Sequence, residues 1–491
     1  MTRTQSLWWG TLTLTVAALL ARGLGMVYRV LLARYLGAEG LGLFQMVFPF
    51  YITLVTLVAA GMPVAVSQMA AEGRATAAAL WRDARRLTIW PAVLLMVVVA
   101  LLAHPLASAL YHRPHLDRLL LALTPALLMV AVGSVLRGLF IARQAMVVPA
   151  LSQVLEQSVR IVLLLMVMSV AWVPFALHGP LLAAWLIPAG ELASLAVLWF
   201  GRGSSGLAGV AQGPSVARPL LTLAAPVTLS RLLSSLVGLA EASLIPLRLQ
   251  ASGLSATAAV AYFGQLMGMA FPLIFFPTAL TFSLATNLVP EVARSLSDTK
   301  VIRRRAEEAM RGTAIWACPV TALLLVLGGH LDDLLFRTDL PGYMFFPLAF
   351  GGFFMYFDII VGGLLRGLGR TEVPLTNSLV ASAVQLLIII TLGGLPRVGP
   401  PIITLAMATG FILSWLLDVR ALGRVGGIHL PWTDVLLRPL VASGLCALSA
   451  PLLFSVLHGG GDWIATSGAI VGAGGFYLVL IRAFGVRLRS A

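Results

Sequence analysis

The sequence predicts an all-α polytopic membrane protein of about fourteen transmembrane helices, with two parallel six-helix lobes and two further C-terminal helices. Three observations support this fold class: the composition, a succession of long apolar runs and an internal repeat. Hydrophobic residues make up 59% of the 491 residues and charged residues only 11%, whereas soluble domains average roughly 45–50% and 25%. A soluble globular enzyme and a disordered chain are therefore both excluded.

Fourteen apolar runs are long enough to cross a bilayer, which takes roughly 20 residues. The seventh and eighth runs contain several prolines, so we expect kinks in both. The runs cover residues 7–33, 43–69, 88–110, 118–141, 148–172, 180–200, 219–248, 258–289, 312–330, 342–365, 374–395, 401–419, 434–457 and 463–484.

The distribution of basic residues predicts the orientation. If the N-terminus is cytoplasmic, the inner segments contain 20 Arg and Lys residues and the outer loops only 6. This asymmetry follows the positive-inside rule and requires an even number of helices, with both termini in the cytoplasm of a plasma-membrane protein. The net charge of +14 is therefore ascribed to membrane orientation and anionic lipid, and nucleic acid is not an expected partner.

An internal repeat divides the chain. The tetrapeptide Leu-Arg-Gly-Leu at 136–139 recurs at 365–368, and each copy is followed by a polar turn and a Val-Pro pair. Repeats that are six helices apart have the same orientation, which indicates two parallel bundles. The predicted parts are an N-terminal lobe at 1–200, a Gly/Ser-rich linker at 201–217, a C-terminal lobe at 218–425 and the last two helices at 426–491.

Charged side chains inside transmembrane helices are costly and usually face a cavity. Arg22 lies about fifteen residues into the first helix, near the bilayer midplane at 1.5 Å per residue. Arg29 follows on the same face, where it lines the cavity or extends to the outer interface, and Arg231 has a similar depth in the seventh helix. The residues expected to line a central substrate-binding cavity are Arg22, Arg29, Arg231, Gln45, Glu156, Arg160 and Asp358.

Several of these charges also have a structural interpretation. Glu156 and Arg160 are spaced i,i+4 with the acid first, a favourable intrahelical pair that either neutralises itself or takes part in the cavity. The arginines of the two repeated tetrapeptides, Arg137 and Arg366, are expected to anchor headgroups at the cytoplasmic helix ends. The acidic pair Asp332-Asp333 is expected to be solvated in an outer loop.

The sequence contains none of the nucleotide-binding, zinc-protease or nucleophile-elbow motifs. The two cysteines lie in apolar runs and indicate neither a disulfide framework nor a metal site. We therefore expect no enzyme activity, no catalytic residue, no cofactor and no metal. Transport driven by an ion gradient or a substrate gradient is the remaining class.

The N-terminal part resembles the stage V sporulation protein B branch of the polysaccharide flippase family, within the multidrug/oligosaccharidyl-lipid/polysaccharide exporter superfamily. The resemblance is most specific over residues 10–72, and the length and helix count agree with it over the whole chain. It rests on Gly10–Leu14, Arg22–Gly25, Tyr28–Arg34, Leu36–Met46, Gly61–Ser67 and the pair Ala71-Glu72.

The resemblance implies a lipid-linked oligosaccharide flippase that works by alternating access, with a polyprenyl-diphosphate-linked sugar as substrate and undecaprenyl-linked peptidoglycan precursor as the specific candidate. In related lipid II flippases, a cationic cavity holds the diphosphate and a groove at the last two helices holds the tail. By that pattern Arg22 corresponds to the first-helix arginine. A second arginine position on that helix is Tyr28 here, and a basic pair late in the second helix is replaced by Thr56-Leu57.

Other functions remain open. A cation-coupled multidrug exporter of the same superfamily would need an acidic cavity, and a membrane glycosyltransferase would need an acidic pair near the outer face. Glu241 and Asn377 are candidate ligands for a coupling ion, with Na⁺ and H⁺ both open, although the position one turn after Asn377 is Ala381. A monomer surrounded by membrane lipid is the favoured assembly.

Overall fold

The computed structural model describes residues 3–169, 179–204, 214–296, 298–338, 340–428 and 431–485. Almost all of these residues are helical, and no β-strand occurs among them. Thirteen helical segments in these ranges are long and apolar enough to cross a membrane. The predicted all-α polytopic fold class is therefore confirmed, and the protein is a multi-pass membrane protein.

The first predicted span and most of the second form one long helical segment, α1 (Arg3–Ala59), which is broken at Gly37. Gly37 has φ 65° and ψ −178°, a backbone conformation that residues with a Cβ avoid. Most of α1 and the following helix α2 (Met62–Ala71) together make up a candidate span of 53 residues. This is more than twice the roughly 20 residues that a bilayer requires. The thirteen segments therefore correspond to the fourteen predicted crossings.

The next helices follow the predicted runs closely. The predicted seventh span is one helix, α8 (Ala217–Ala251), which continues through Pro226 and Pro246. Residues 205–213 of the predicted linker lie outside the described residues. The helices are α3 (Ala77–Tyr111), α4 (Asp117–Leu123), α5 (Pro125–Ala142), α6 (Val147–Ser169), α7 (Pro180–Ser204) and α8 (Ala217–Ala251).

The predicted eighth span is interrupted, as its prolines suggested. It ends its first α-helical stretch at Gly264 and then adopts a π-helical turn at Gln265–Ala270. A turn at Phe276 and Pro277 separates its last two parts. These parts are α9 (Ala256–Gly264), α10 (Phe271–Phe275) and α11 (Thr278–Arg294).

The chain divides into two compact units. Unit 1 comprises Met1–Leu247 and Ala256–Gly264, and unit 2 comprises Arg248–Ser255 and Gln265–Ala491. In unit 1, α2 packs against α5, and α6 packs against both α1 and α7. This division does not test the lobe boundaries predicted from the sequence repeat, which stay a prediction.

A buried carboxylate in unit 1 holds the start of α8. The Asp83 Oδ2 atom accepts hydrogen bonds from the Val216 backbone N–H at 2.6 Å and from the Ser215 hydroxyl at 3.0 Å. The Arg82 Nε atom donates to Asp83 Oδ1 at 2.8 Å, and only 4% of Asp83 is exposed. Because a negative charge beside a helix N-terminus is favourable, this contact fixes α8 against α3.

We expect Asp83→Ala to lower the melting temperature of the purified protein substantially, because it removes charge-assisted hydrogen bonds worth about 1.5–3 kcal/mol each. The matched control is Asp298→Ala. Asp298 also caps a helix, accepting from the Lys300 and Val301 N–H groups, but it is exposed. Thermal unfolding in detergent should show the larger loss for Asp83→Ala, and equal losses would contradict the role of the buried carboxylate.

Unit 2 contains the remaining long helices. In this unit α13 (Gly342–Gly367) packs against α11 and against α15 (Gly399–Gly426), while α16 (Trp432–Leu457) packs against α12 (Thr299–Phe336) and α17 (Asp462–Ala483). Small buried residues such as Ala442, Cys446 and Ala473 let the last two helices approach closely. The helices are α12 (Thr299–Phe336), α13 (Gly342–Gly367), α14 (Glu372–Leu392), α15 (Gly399–Gly426), α16 (Trp432–Leu457) and α17 (Asp462–Ala483).

Candidate functional site

Two of the predicted cavity residues lie on the first part of α1. Arg22 and Arg29 are both exposed, and their seven-residue separation places them on one side of the helix. Neither of them forms a hydrogen bond or an ion pair with another described residue. The buried hydroxyl of Tyr28, between them in sequence, also has no hydrogen-bond partner and lies within electrostatic range of Arg29 and Arg160.

Arg231 lies on α8 and is likewise exposed, and among the described residues it has neither a hydrogen bond nor an ion pair. It belongs to unit 1, as do Arg22 and Arg29. We call these three residues the unpaired arginines. Placing an arginine side chain in lipid near the bilayer centre costs at least about 2.5 kcal/mol of free energy. This cost favours contact with water for all three side chains. Their joint lining of one cavity stays a prediction.

A second group of charges in unit 1 is neutralised. Arg160 Nη2 lies 2.7 Å from Glu156 Oε1 and 3.5 Å from Glu191 Oε1. Arg137 Nη2 lies 3.9 Å from Glu156 Oε2 and 3.8 Å from Glu191 Oε2. We call these four residues, contributed by α5, α6 and α7, the charge cluster. Two positive and two negative charges leave it with no net charge.

The charge cluster is enclosed by close helix packing. Only 10% of the Arg160 side chain and 11% of the Glu156 side chain are exposed. The Arg160 side chain crosses Gly190 so closely that a Cβ at that position would overlap it. Arg137 Nη2 also donates a hydrogen bond to the Ser194 hydroxyl at 2.9 Å. A glycine and a serine one turn apart on α7 therefore make room for the two guanidinium groups and bind one of them.

The i,i+4 pair of Glu156 and Arg160 was predicted, but its partners on other helices were not. Arg137 does not lie free at a helix end to anchor headgroups, because it bonds Ser194 and faces two glutamates. Glu191 was overlooked, although an acid within an apolar run carries the same signal as the other intramembrane charges. The geometry favours the structural interpretation of Glu156 and Arg160, while their predicted contact with substrate stays a prediction. Gln45 is half-buried in the second part of α1.

Unit 2 contains a polar cluster on α13, α14 and α15. The Ser414 hydroxyl donates to Asp358 Oδ2 at 3.0 Å, and Asn377 Nδ2 donates to Asp418 Oδ1 at 2.7 Å. Asp358 Oδ1 is buried without a partner, and Asp418 is 2% exposed. Arg366 is exposed and lies within electrostatic range of both aspartates.

The two units repeat one packing detail. Gln385 on α14 crosses Gly410 on α15 as closely as Arg160 crosses Gly190 in unit 1. Ser414 follows Gly410 by one turn, as Ser194 follows Gly190, and each serine hydroxyl bonds a charged side chain. The charge balance differs, because the unit 2 cluster has two carboxylates and one guanidinium.

The predicted ion ligands, Glu241 and Asn377, belong to different units. Glu241 is half-buried on α8 in unit 1, and Asn377 on α14 in unit 2 donates to Asp418. Their ion site therefore stays a prediction. Among the described residues, no group of three or more His, Cys, Asp or Glu side chains is placed to hold a metal ion.

Thirteen candidate spans among the described residues, several of which contain charged side chains, define a polytopic membrane protein, and charges inside such spans usually mark functional sites. Residues 7–261 match the family described as polysaccharide biosynthesis protein. Because this match covers more than half of the chain, the chain belongs to that family. The resemblance inferred from the N-terminal residues is thereby confirmed.

Relatives from Bacillus subtilis (strain 168) agree with this assignment. The chain is 29% identical over 496 aligned residues to "Stage V sporulation protein B", covering 97% of this chain and 95% of the relative. It is 26% identical over 419 residues to "Sporulation protein YkvU", covering 82% and 92%.

Solved structures share the fold. A lipid II flippase MurJ in an inward closed conformation aligns with a TM-score of 0.74 and 15% identity, covering 96% of this chain and 98% of that one. An inward-facing multidrug resistance MATE family transporter of the MOP superfamily aligns with a TM-score of 0.62 and 15% identity, covering 82% and 94%. The fold is therefore that of the MurJ and MATE transporters.

Proposed function

We propose that the protein is a lipid-linked oligosaccharide flippase. In this proposal it moves an undecaprenyl-diphosphate-linked peptidoglycan precursor of the lipid II type from the cytoplasmic to the outer leaflet by alternating access, and thereby supplies cell-wall or spore-cortex synthesis. Family membership and the relatives' names support the general class of a flippase-type transporter. The substrate, the cytoplasmic location of both termini and a monomeric state are parts of the proposal.

One observation carries the proposal, namely the contrast between two groups of arginines in unit 1. Arg137 and Arg160 are neutralised by two glutamates within 4 Å. Arg22, Arg29 and Arg231 are exposed and have no acidic partner among the described residues. Two arginines of unit 1 are thus balanced by nearby glutamates, whereas Arg22, Arg29 and Arg231 are not balanced within the described part of the chain. We infer that these three positive charges bind an anionic substrate.

A lipid diphosphate matches the unpaired arginines chemically. It carries about two negative charges, and a guanidinium group supplies permanently charged, paired donors for phosphate oxygens. Bringing that headgroup into hydrocarbon without compensation would cost several kcal/mol or more. Arginines in a water-filled cavity replace the lost hydration, while the polyprenyl tail stays in the lipid. Two conformations that share one site are sufficient, and no covalent chemistry is required.

A cation-coupled multidrug exporter is the second candidate, because the unit 2 cluster contains one more carboxylate than guanidinium. Asp358 and Asp418 are the acids that a cationic substrate would contact. The fold shared with a MATE transporter is compatible with this alternative.

The test reconstitutes the purified protein into liposomes containing either undecaprenyl-diphosphate-linked precursor or a fluorescent organic cation. We expect the protein to increase the precursor accessible to an external sugar-modifying reagent above the level in protein-free liposomes, and to leave cation flux unchanged. Cation flux without precursor flipping would replace the proposed function with the second candidate.

A further inference from the structure

Asp332 is a buried carboxyl group that has no hydrogen-bond partner in the described part of the chain. It lies near the end of α12, where 0% of the residue is exposed. Neither carboxylate oxygen has a hydrogen-bond partner among the described residues. The expectation of a solvated outer loop at Asp332-Asp333 is wrong for the loop and for Asp332, whereas Asp333 is exposed as expected. The helix continues to Phe336, so that Asp333 faces outward and Asp332 faces the interior of unit 2.

An ionised carboxylate is strongly disfavoured at this position. Burying an isolated charge without compensation is far more costly than protonating the group. The last turn of a helix also presents partial negative charge from its free carbonyl groups, and Asp332 lies one turn before the end of α12.

The described elements packed against α12 are α11, the π-helical turn at 265–270, α13, α16 and α17. No described residue on them forms a hydrogen bond with the Asp332 carboxyl group. The charged residues of α11, α13, α16 and α17 that lie farther along these helices are Glu291, Arg294, Asp358, Arg366, Asp434, Arg438 and Arg482. Exposed titratable residues near the end of α12, at the start of α13 and between α16 and α17 are His330, Asp333, Arg337, Tyr343, His458 and Asp462.

Two tertiary contacts flank Asp332 in the chain. One turn earlier, Gly328 lies directly against the Phe345 ring at the start of α13. Just beyond the helix, the Thr338 hydroxyl contacts the Met269 sulfur in the π-helical turn at 3.3 Å. π-helical turns are uncommon and occur frequently at functional sites. A rearrangement of this turn would alter the contacts that close off the end of α12.

We propose that Asp332 is a proton-binding residue that couples the conformational cycle to the proton gradient. The carboxyl group is protonated in the conformation described here. In a second conformation that admits water to the end of α12, the O–H bond breaks, the proton passes to that water and the carboxylate remains. The coupling rests on the proposed flippase function, whereas the protonation of Asp332 does not.

The difference in proton binding between the two conformations determines how strongly pH shifts their ratio. A group that is protonated in one conformation and ionised in the other shifts their ratio by up to about tenfold for each pH unit. A higher external pH favours the ionised conformation, and a lower one favours the conformation described here. The external pH should therefore change the flipping rate several-fold across two pH units.

The first experiment tests protonation without any transport measurement. Infrared spectra of the reconstituted wild type should contain the C=O stretching band of a protonated carboxylic acid, and Asp332→Asn should lack it. The amide has the size of the neutral acid, so we expect this variant to fold, and Asp332→Leu serves as a second variant. Asp333→Asn is the matched control and should keep the band. The proposal would be overturned if the wild type and Asp332→Asn had the same carboxylic-acid bands.

The second experiment measures precursor flipping in liposomes as a function of external pH. The pH dependence should be present in wild type and Asp333→Asn, and should disappear in Asp332→Asn. An unchanged pH dependence in Asp332→Asn would overturn the coupling while leaving the flippase function intact. If the wild type flips no precursor, the proposed function fails, and the infrared band still decides whether Asp332 binds a proton.

Discussion

Arg22→Ala is expected to reduce precursor flipping by about 10- to 100-fold without reducing the amount of protein in the membrane. The change removes a charge-assisted, bidentate contact with the diphosphate, which is worth about 1.5–3 kcal/mol. Arg22 has no partner among the described residues, so its removal leaves no buried charge behind. Arg22→Lys should retain part of the activity, because lysine keeps the charge but lacks the paired donors.

Arg218→Ala is the matched control for this prediction. Arg218 is an exposed arginine in the first turn of α8, away from Arg231 in the middle of the same helix. Its loss should leave flipping close to the wild-type rate. If Arg218→Ala and Arg22→Ala lower the rate equally, the effect is one of overall positive charge and not of a headgroup site.

Glu156→Ala is expected to destabilise unit 1 severely. It leaves Arg160 with only the more distant Glu191, at 3.5 Å, and breaking a buried ion pair from one side costs about 3–5 kcal/mol. Thermal unfolding in detergent and the yield of folded protein measure the loss. The matched control is Glu72→Ala, which removes the exposed ion pair with Arg74 and should have an effect near zero.

Gly190→Ala tests the same cluster without removing a charge. The added methyl group would overlap the Arg160 side chain, so the guanidinium must move away from its glutamates. Gly133→Ala is the control, because its methyl group would meet Leu198 Cδ1 at an ordinary 3.6 Å. Equal stability of the two variants would show that the charge cluster does not depend on this close approach.

Helix content and the number of crossings were predictable because the apolar runs are long and the bilayer sets a minimum length for each span. The end of α12 was not predictable in this way. The predicted span stopped at residue 330, but the helix continues to Phe336. Two adjacent acids interrupt the apolar pattern, and the sequence alone does not reveal that tertiary packing encloses one of them.

The candidate site was predictable where one helix determines it. The pairing of Glu156 with Arg160 follows from the period of the α-helix and is confirmed, whereas the depth of Arg22, inferred from the rise per residue, stays a prediction. The contacts of Arg137 and Glu191 depend on how three helices pack around Gly190 and Ser194. A single sequence does not specify that packing. The sequence therefore could not show whether Glu156 and Arg160 belong to a neutralised cluster or line a cavity as unpaired charges.

Precursor flipping by the double variant Arg22→Ala/Arg231→Ala tests the central claim most directly. The assay compares wild type and variant at equal reconstituted amounts, using the accessibility of the lipid-linked precursor to an external reagent. If the unpaired arginines hold the diphosphate, the variant should show no more accessible precursor than protein-free liposomes, while its melting temperature stays close to that of the wild type. Flipping at the wild-type rate by this variant would contradict the headgroup site.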